Sequence, residues 1–280
     1  MSRIEAMRSQ EEHTRRSHNY FSKLQPVDEA CRKAMADWCF KLVDALSLSR
    51  ESVSIAMSYL DRYLSSGKGK SSEALENRHK FQLAAITTFY IAVKLNEEVE
   101  VGVDLLVRLC RGFYSETDIL SMERDILFSL EWRVSGPTPL DFVKHLLELL
   151  PESARASYLD QLLQVSQLHM DYATSELYFS SCKPSVVGAG CVMSTLSETD
   201  ILTSIELSEF CKRISKALDF DVQTSTHVLE VQQRLLLQSS HCIPFVVSKV
   251  STLIRSNSSV STYSMDGGSS SPVCVSLASR

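Results

Sequence analysis

The sequence contains few of the residues that interrupt helices, with only 9 glycines and 7 prolines among 280 residues. No run of alternating Val, Ile or Thr bounded by hairpin turns is present, so the pattern does not favour a β-sheet protein. Hydrophobic residues make up 44% of the chain, which is too apolar for disorder throughout and enough for one large core or two modest cores. We therefore expect an all-α protein with two domains.

Motifs of catalysis and metal binding are also missing. The 7 histidines show no H-E-x-x-H or other metal-ligand spacing, and no G-x-S-x-G, Walker or G-x-G-x-x-G stretch occurs. The short "GAG" at 188–190 lies inside an apolar helical pattern, where small residues allow close packing. We expect no metal, no cofactor and no catalytic activity of its own.

The sequence has no excess of basic residues. The formal net charge is -5, with 19 basic against 20 acidic residues in 1–136 and 10 against 14 in the remainder, which argues against nucleic acid as a partner. The 8 cysteines include no C-x-x-C pair, and the start of the chain carries no apolar signal segment. With no apolar run long enough to cross a bilayer, we expect a soluble protein in a reducing compartment, the nucleus or the cytoplasm.

Apolar residues recur every three or four positions, the spacing of one face of a helix. In the first half they predict helices at 27–46, 49–64, 79–96, 103–110 and 115–130, with a solvated loop at 65–79. In the second half they predict helices near 139–150, 155–173, 184–197, 205–218 and 221–238. A Pro/Gly break at 135–142 separates the halves, so we interpret the chain as two copies of one five-helix unit.

Both ends of the chain differ from this pattern. Acids and bases alternate in the segment 1–26, which is typical of a short exposed helix. The 33 residues from Ser248 contain 12 serines, a composition that predicts disorder, and Ser271 before Pro272 could accept phosphate. The predicted domains are therefore 1–26, 27–134, 135–240 and a disordered tail at 241–280.

One charged residue interrupts the most apolar predicted helix. Eleven of the fifteen residues from Phe81 to Leu95 are apolar, as in the central helix of a bundle, and Lys94 is among the four that are not. Glu123 likewise interrupts the apolar stripe of the helix predicted at 115–130. Opposite charges on two core-facing helices indicate that these side chains share a location.

Two interpretations of this pair are open. The side chains could form an internal salt bridge at the bundle rim, worth about 0–1 kcal/mol if exposed, or Lys94 could extend its amine to water. Alternatively both bind the backbone of a partner helix, Lys94 through its three donors and Glu123 through its acceptors.

Several motifs, in this order, resemble the successive helices of a cyclin box: "CRKAMADW" at 31–38, "YLDRYL" at 59–64, "KFQLAAITTFYIAVKLNE" at 80–97 and "MERDILFSLEW" at 122–132. The "PTPLDFVKHLL" at 137–147 resembles the start of a second cyclin fold. The resemblance covers about residues 27–238 and implies two tandem five-helix cyclin folds. The opening "MRSQEEHTRRSHNYF" has a weaker likeness to diatom-type cyclins.

In that family the lysine of the third helix and the glutamate of the fifth hydrogen-bond a kinase near its C-helix. Lys94 and Glu123 match these positions. The resemblance thus implies that Lys94 and Glu123, with the adjacent Val93 and Leu95, bind a cyclin-dependent protein kinase.

The resemblance also implies a structural ion pair and a substrate-docking groove. Arg32 and Asp61 match the ion pair that anchors the first helix against the bundle. By position, the groove residues would be Cys31, Met35, Trp38 and Gln82. Lys41 stands where the family usually has an acidic residue that attracts the basic end of an Arg-x-Leu peptide, so docking is left open against the alternative that Met35 and Trp38 are ordinary core.

The function implied is that of a regulatory subunit, not an enzyme, which activates a cyclin-dependent serine/threonine kinase by packing on its C-helix and controls cell-cycle progression. Kinase substrates or inhibitors are further partners through the groove. The alternatives are a transcriptional cyclin and a twin cyclin-fold protein of the basal-transcription-factor type that grips DNA and polymerase. The acidic balance of both halves argues against the latter.

Overall fold

The computed structural model describes residues 2–13, 17–21, 26–99, 101–199 and 201–238, and every regular element within them is a helix. The predicted all-α class is confirmed. The tail predicted at 241–280, with Ser271, lies outside the described residues. The helices are α1 (Arg3–His13), α2 (Glu29–Leu46), α3 (Glu51–Ser65), α4 (Ser71–Glu76), α5 (Arg78–Asn96), α6 (Val103–Leu109), α7 (Glu116–Ser129), α8 (Pro139–Leu147), α9 (Glu152–Ser175), α10 (Leu177–Ser180), α11 (Pro184–Thr199), α12 (Ser204–Leu218) and α13 (226–238).

The chain divides into two compact units. Within the described residues, the first unit comprises 13–136 and 173–182, and the second comprises 2–12, 137–172 and 183–238. The domain boundaries predicted from the sequence stay predictions.

Helix α5 is the centre of the first unit, as its composition predicts. The Asn77 side chain caps it by accepting hydrogen bonds from the backbone N–H groups of His79 and Lys80. The interior of the helix, from Ala84 to Val93, is buried throughout, and α3, α4 and α7 pack against it. A helix that is apolar on every side is stable only when neighbours cover all of its faces.

The loop predicted at 65–79 contains a short helix, α4. Its Ala74 and Leu75 are buried in the core, which the polar composition of the segment concealed. The preceding turn is held by Asp125, whose carboxylate accepts hydrogen bonds from the Tyr63 hydroxyl at 2.7 Å and the Lys70 backbone N–H at 2.9 Å. The prediction of a purely solvated loop was wrong.

Helix α7 begins where the sequence predicts it. Ser115 accepts a hydrogen bond from the Asp118 backbone N–H while the Asp118 carboxylate accepts one from the Ser115 backbone, a complete capping box. Just beyond the end of the helix, Glu131 and Trp132 lie in the left-handed region, at φ 55° and 59°. These two residues turn the chain sharply at the end of the helix.

Close packing around α11 organises the second unit. A Cβ on Gly188 would lie 2.7 Å from the Cβ of Phe142 on α8, and one on Gly190 would lie 2.3 Å from Cγ1 of Val231 on α13. The "GAG" stretch therefore serves helix packing.

Helix α1 is not the exposed helix that its charge pattern suggested. Its Ile4 and Met7 are buried, and so is Glu11. The Glu11 carboxylate accepts hydrogen bonds from the Ser185 backbone N–H at 3.0 Å and hydroxyl at 2.6 Å. A carboxylate here satisfies a free N–H of the first turn of α11 and complements the helix dipole.

Candidate functional site

The structure brings Lys94 and Glu123 together. Lys94 lies in the last turn of α5 and Glu123 near the middle of α7, and the Lys94 Nζ donates a hydrogen bond to Glu123 Oε1 at 3.1 Å. The Lys94 side chain is 53% exposed, whereas that of Glu123 is 13% exposed. The shared location inferred from the two apolar stripes is therefore correct, and the pair lies at the rim of the bundle.

The electrostatics of the pair follow from this geometry. The hydrogen bond from Lys94 to Glu123 raises the pKa of the lysine. The ammonium also lies over the Tyr90 ring, 5.4 Å from its centroid, within the range of a cation–π contact. Lys94 is thus a charged donor with part of its surface open to solvent.

Apolar side chains are exposed on either side of this pair. Leu95, next to Lys94, is 52% exposed, and Leu120, one helical turn before Glu123, is 37% exposed. Near and beyond the end of α7, two further exposed aromatic side chains, Phe128 and Trp132, meet edge to face with ring centroids 6.0 Å apart. Charged groups flanked by exposed apolar surface are typical of a protein-binding site.

Val93 does not belong to this surface, contrary to the sequence prediction. Its side chain is fully buried, at 0% exposure. Successive helical residues are rotated by about 100°, so Val93 and Leu95 point in nearly opposite directions and cannot share one face. A direct partner contact by Val93 does not fit this structure, whereas Leu95 stays a candidate.

Arg32 and Asp61 form a buried, bidentate ion pair between α2 and α3. Arg32 Nε and Nη2 donate to Asp61 Oδ1 and Oδ2, each at 2.8 Å, and both side chains are 2% exposed. The third nitrogen, Nη1, donates to the carbonyls of Thr174 and Ser175 at 3.0 Å. The arrangement anchors α2 to α3 and to the residues at the end of α9.

Tyr20 completes this buried network. Its hydroxyl donates a hydrogen bond to Asp61 Oδ1 at 2.7 Å. Burial and the Asp61 charge raise the pKa of Tyr20 well above its ordinary value, so the hydroxyl stays a donor. For Arg32, burial alone would lower the pKa, but the charge and hydrogen bonds of Asp61 outweigh burial and raise it.

The residues predicted to line a docking groove are mostly interior. Cys31, Met35 and Trp38 are buried, and Trp38 packs against Phe89 with ring centroids 6.4 Å apart. Gln82 accepts a hydrogen bond from the Tyr114 hydroxyl at 3.1 Å, and Lys41 alone of the predicted set is exposed. Met35 and Trp38 are part of the core in this structure, as the alternative held, so the docking role stays an untested prediction.

Sequence reasoning missed three residues of these sites. Leu120 lies three residues before Glu123, so helical spacing alone could have placed it beside the carboxylate. Trp132 carried the signal of an aromatic residue directly after an apolar helix. Tyr20 carried none, since it reaches Asp61 from a segment 41 residues away in sequence.

The described residues contain no group of three or more His, Cys, Asp or Glu side chains that could hold a metal ion. Within the same ranges, none of the helices combines the length and the apolar character that a membrane span needs.

Comparison with known proteins identifies the family. Residues 2–135 match the sequence model described as "Cyclin, N-terminal domain". Human G1/S-specific cyclin-D1 is 27% identical over 220 residues, which cover 76% of this chain and 72% of that protein. The chain carries a cyclin N-terminal domain. The assignment suggested by the helix motifs is thereby confirmed.

Other cyclins are similar over shorter or comparable lengths. The zebrafish (Danio rerio) G1/S-specific cyclin-D1 is 27% identical over 221 residues, covering 76% of this cyclin and 73% of its own chain. A G2/mitotic-specific cyclin-2 from Antirrhinum majus is 31% identical over 182 residues, covering 65% of this cyclin but 38% of its own length. These relatives are cell-cycle cyclins.

The fold of this cyclin is also that of a solved relative. The X-ray structure of a viral cyclin from herpesvirus saimiri superposes with a TM-score of 0.64, covering 83% of this chain and 97% of the viral chain, at 20% identity. The prediction of tandem cyclin folds is confirmed.

Proposed function

We propose that this cyclin binds a cyclin-dependent serine/threonine kinase and activates it by packing against the kinase C-helix, in control of the cell cycle. The observation that carries the proposal is the Lys94–Glu123 pair at the bundle rim, with the exposed Leu95 next to Lys94 in the chain and the exposed Leu120 one helical turn before Glu123. A kinase regulated in this way works in the nucleus or the cytoplasm, where the cyclin would meet it.

The pair offers complementary chemistry to a backbone. Lysine has three N–H donors and one is used on Glu123, so the ammonium can also bind a carbonyl. Glutamate has acceptor capacity left for an N–H group. A helix end leaves backbone carbonyls and N–H groups without intrahelical partners, and these are the groups that Lys94 and Glu123 would bind.

The low energy of this contact within the cyclin itself supports a role in binding. A partly exposed lysine–glutamate pair adds only about 0–1 kcal/mol to folding stability. The fold therefore does not depend on the pair, although Glu123 is held in place among apolar neighbours on α7.

Activation would work through a population shift in the kinase. Protein kinases need a Lys–Glu ion pair between a strand and the C-helix, and the position of that helix is what regulation controls. To move a kinase from 1% to 99% active, the cyclin must bind the inward form more tightly by about 5.5 kcal/mol. The cyclin supplies this binding energy and no catalytic group.

The test is a double substitution, Lys94→Ala with Glu123→Ala, in the full chain, assayed for activation of a panel of purified cyclin-dependent kinases. We expect the loss of activation of the kinase that the wild-type chain activates, with helicity and melting temperature nearly unchanged.

A matched control lies at the other end of the same helix. Lys80 and Glu73 form an ion pair with side chains 46% and 52% exposed, about 21 Å along α5 from Lys94. The double variant Lys80→Ala with Glu73→Ala should activate the kinase like the wild type. If the Lys94→Ala, Glu123→Ala variant activates the kinase as strongly as this control, the proposed site is rejected.

A further inference from the structure

Arg62 on α3 has an unusual environment for an arginine. Its side chain is partly buried, and its Nη2 donates a hydrogen bond to the Arg133 carbonyl at 2.6 Å. Its Nε is buried without a hydrogen-bond acceptor, and no carboxylate in the described part of the chain pairs with it. Because arginine carries five N–H donors, most of its hydrogen-bonding capacity is unused.

A second positive charge makes this environment less favourable. Burial lowers the pKa of Arg62, Tyr59 opposes this shift, and the nearby Arg133 guanidinium adds to it. Arg133 itself pairs with Glu131 at 3.2 Å, so that carboxylate is engaged with the neighbouring cation. A partly desolvated guanidinium beside a like charge is costly unless an anion pairs with it.

Arg62 adjoins the surface proposed to bind the kinase. The carbonyl that it contacts follows directly after Trp132, whose side chain is 60% exposed. One turn earlier on α3, Tyr59 donates a hydrogen bond to the Val134 carbonyl and lies beside Asn96, the last residue of α5. The guanidinium thus lies beside the chain that follows α7, one turn along α3 from Tyr59, which contacts the end of α5. Helices α5 and α7 carry Lys94 and Glu123.

We propose that Arg62 binds a carboxylate of the partner kinase and so forms a second, charge-specific contact beside the Lys94–Glu123 pair. This inference rests on the proposed function. Only Nη2 has an acceptor among the described residues, and Nη1 is not among the fully buried unpaired atoms, so this nitrogen has some accessible surface and two N–H donors to offer. A carboxylate there gains charge-assisted hydrogen bonds in a partly water-free site, which selects for partners with an acidic residue at that point.

A purely structural role is the competing explanation, because the hydrogen bond to Arg133 also holds the left-handed end of α7. The two roles differ in what they change. A structural role affects the melting temperature of the free cyclin. A carboxylate contact affects the affinity for the kinase and the way in which salt weakens it.

The experiment measures the dissociation constant of the full chain for the kinase that it activates, at low and at high salt. Arg62→Gln should weaken binding by at least about tenfold at low salt, mainly through faster dissociation, and binding should become less sensitive to salt. Arg62→Lys keeps the charge but loses the planar fork, so its affinity should lie between wild type and Arg62→Gln. Arg50→Gln, about 18 Å away along α3, is the matched control and should bind like the wild type.

Two outcomes would overturn the inference. The first is that Arg62→Gln has no contact-specific effect. It would then bind with wild-type affinity and salt dependence, or bind more weakly only in proportion to a lower melting temperature while keeping the wild-type salt dependence. The second concerns the source of the anion: if phosphatase treatment of the kinase abolishes the effect of Arg62→Gln, the group is a phosphate and not a carboxylate. If the wild-type chain binds no kinase of the panel, the proposed function fails and this inference fails with it.

Discussion

The buried ion pair gives the sharpest test of how this fold is held together. Changing Asp61 to Asn keeps the size of the side chain but leaves the Arg32 guanidinium without its counter-charge. Asp61 accepts three hydrogen bonds, from Arg32 Nε and Nη2 and from the Tyr20 hydroxyl, and both charged side chains are 2% exposed. Water therefore cannot replace the lost charge. Removing one partner of such a pair costs about 3–5 kcal/mol, a large share of a total stability of about 5–15 kcal/mol.

Urea denaturation followed by tryptophan fluorescence measures the unfolding of the first unit, which contains Asp61. The chain has 2 tryptophans, Trp38 and Trp132, and both lie in the first unit with Asp61. With an m value of about 2 kcal/mol per molar urea, the midpoint should fall by about 1.5–2.5 M.

A control on the same helix as Arg32 separates burial from charge. Asp37 is an exposed acid on α2, and Asp37→Asn should change the free energy of unfolding by no more than about 0.5 kcal/mol. A loss below about 1 kcal/mol for Asp61→Asn would mean that solvent or another group compensates the Arg32 charge, so that the ion pair does not behave as a buried one.

Two further predictions concern pH and packing. Burial raises the pKa of Cys110 to about 11 and that of Cys191 to about 12. An unfolded thiol has a pKa of about 8.5. The stability that these thiols contribute is therefore fully present below about pH 8.5 and is lost as the pH rises through the folded pKa values. Urea midpoints should therefore fall from pH 8 to pH 10, and an unchanged midpoint would contradict the burial. Gly190→Ala should destabilise the second unit by about 1–3 kcal/mol, because the new methyl group would meet Val231. Gly190→Ala should cost less stability in a chain that already carries Val231→Ala than in the wild type, because the smaller side chain leaves room for the methyl group. Thermal melting of both single variants and the double variant can show this.

The sequence predicts this structure best where a local pattern carries the information. The all-apolar α5, the Ser115 capping box and the meeting of Lys94 with Glu123 follow from spacing on a helix. Helix α4 was not predicted because its segment is short and mostly polar, and only Ser71, Ala74 and Leu75 are buried.

Long-range contacts are the part that local patterns do not reveal. Glu11 is buried because Ser185, 174 residues away, supplies two donors, and no period in the sequence encodes that meeting. Val93 was assigned to the surface with Lys94 through the family resemblance, whereas the helical rotation between Val93 and Leu95 places only Leu95 outside. Residue-by-residue transfer from a family thus needs the helix geometry as a check.

The proposed function depends on Lys94 and Glu123 binding the backbone of a kinase. The most direct measurement is a structure of the full-length cyclin bound to the kinase that it activates. We expect Lys94 Nζ to lie within about 3.2 Å of a backbone carbonyl, and a Glu123 carboxylate oxygen within the same distance of a backbone N–H group, at the kinase C-helix. A complex in which the Lys94–Glu123 pair faces solvent, away from the kinase, would show that the pair does not bind the kinase.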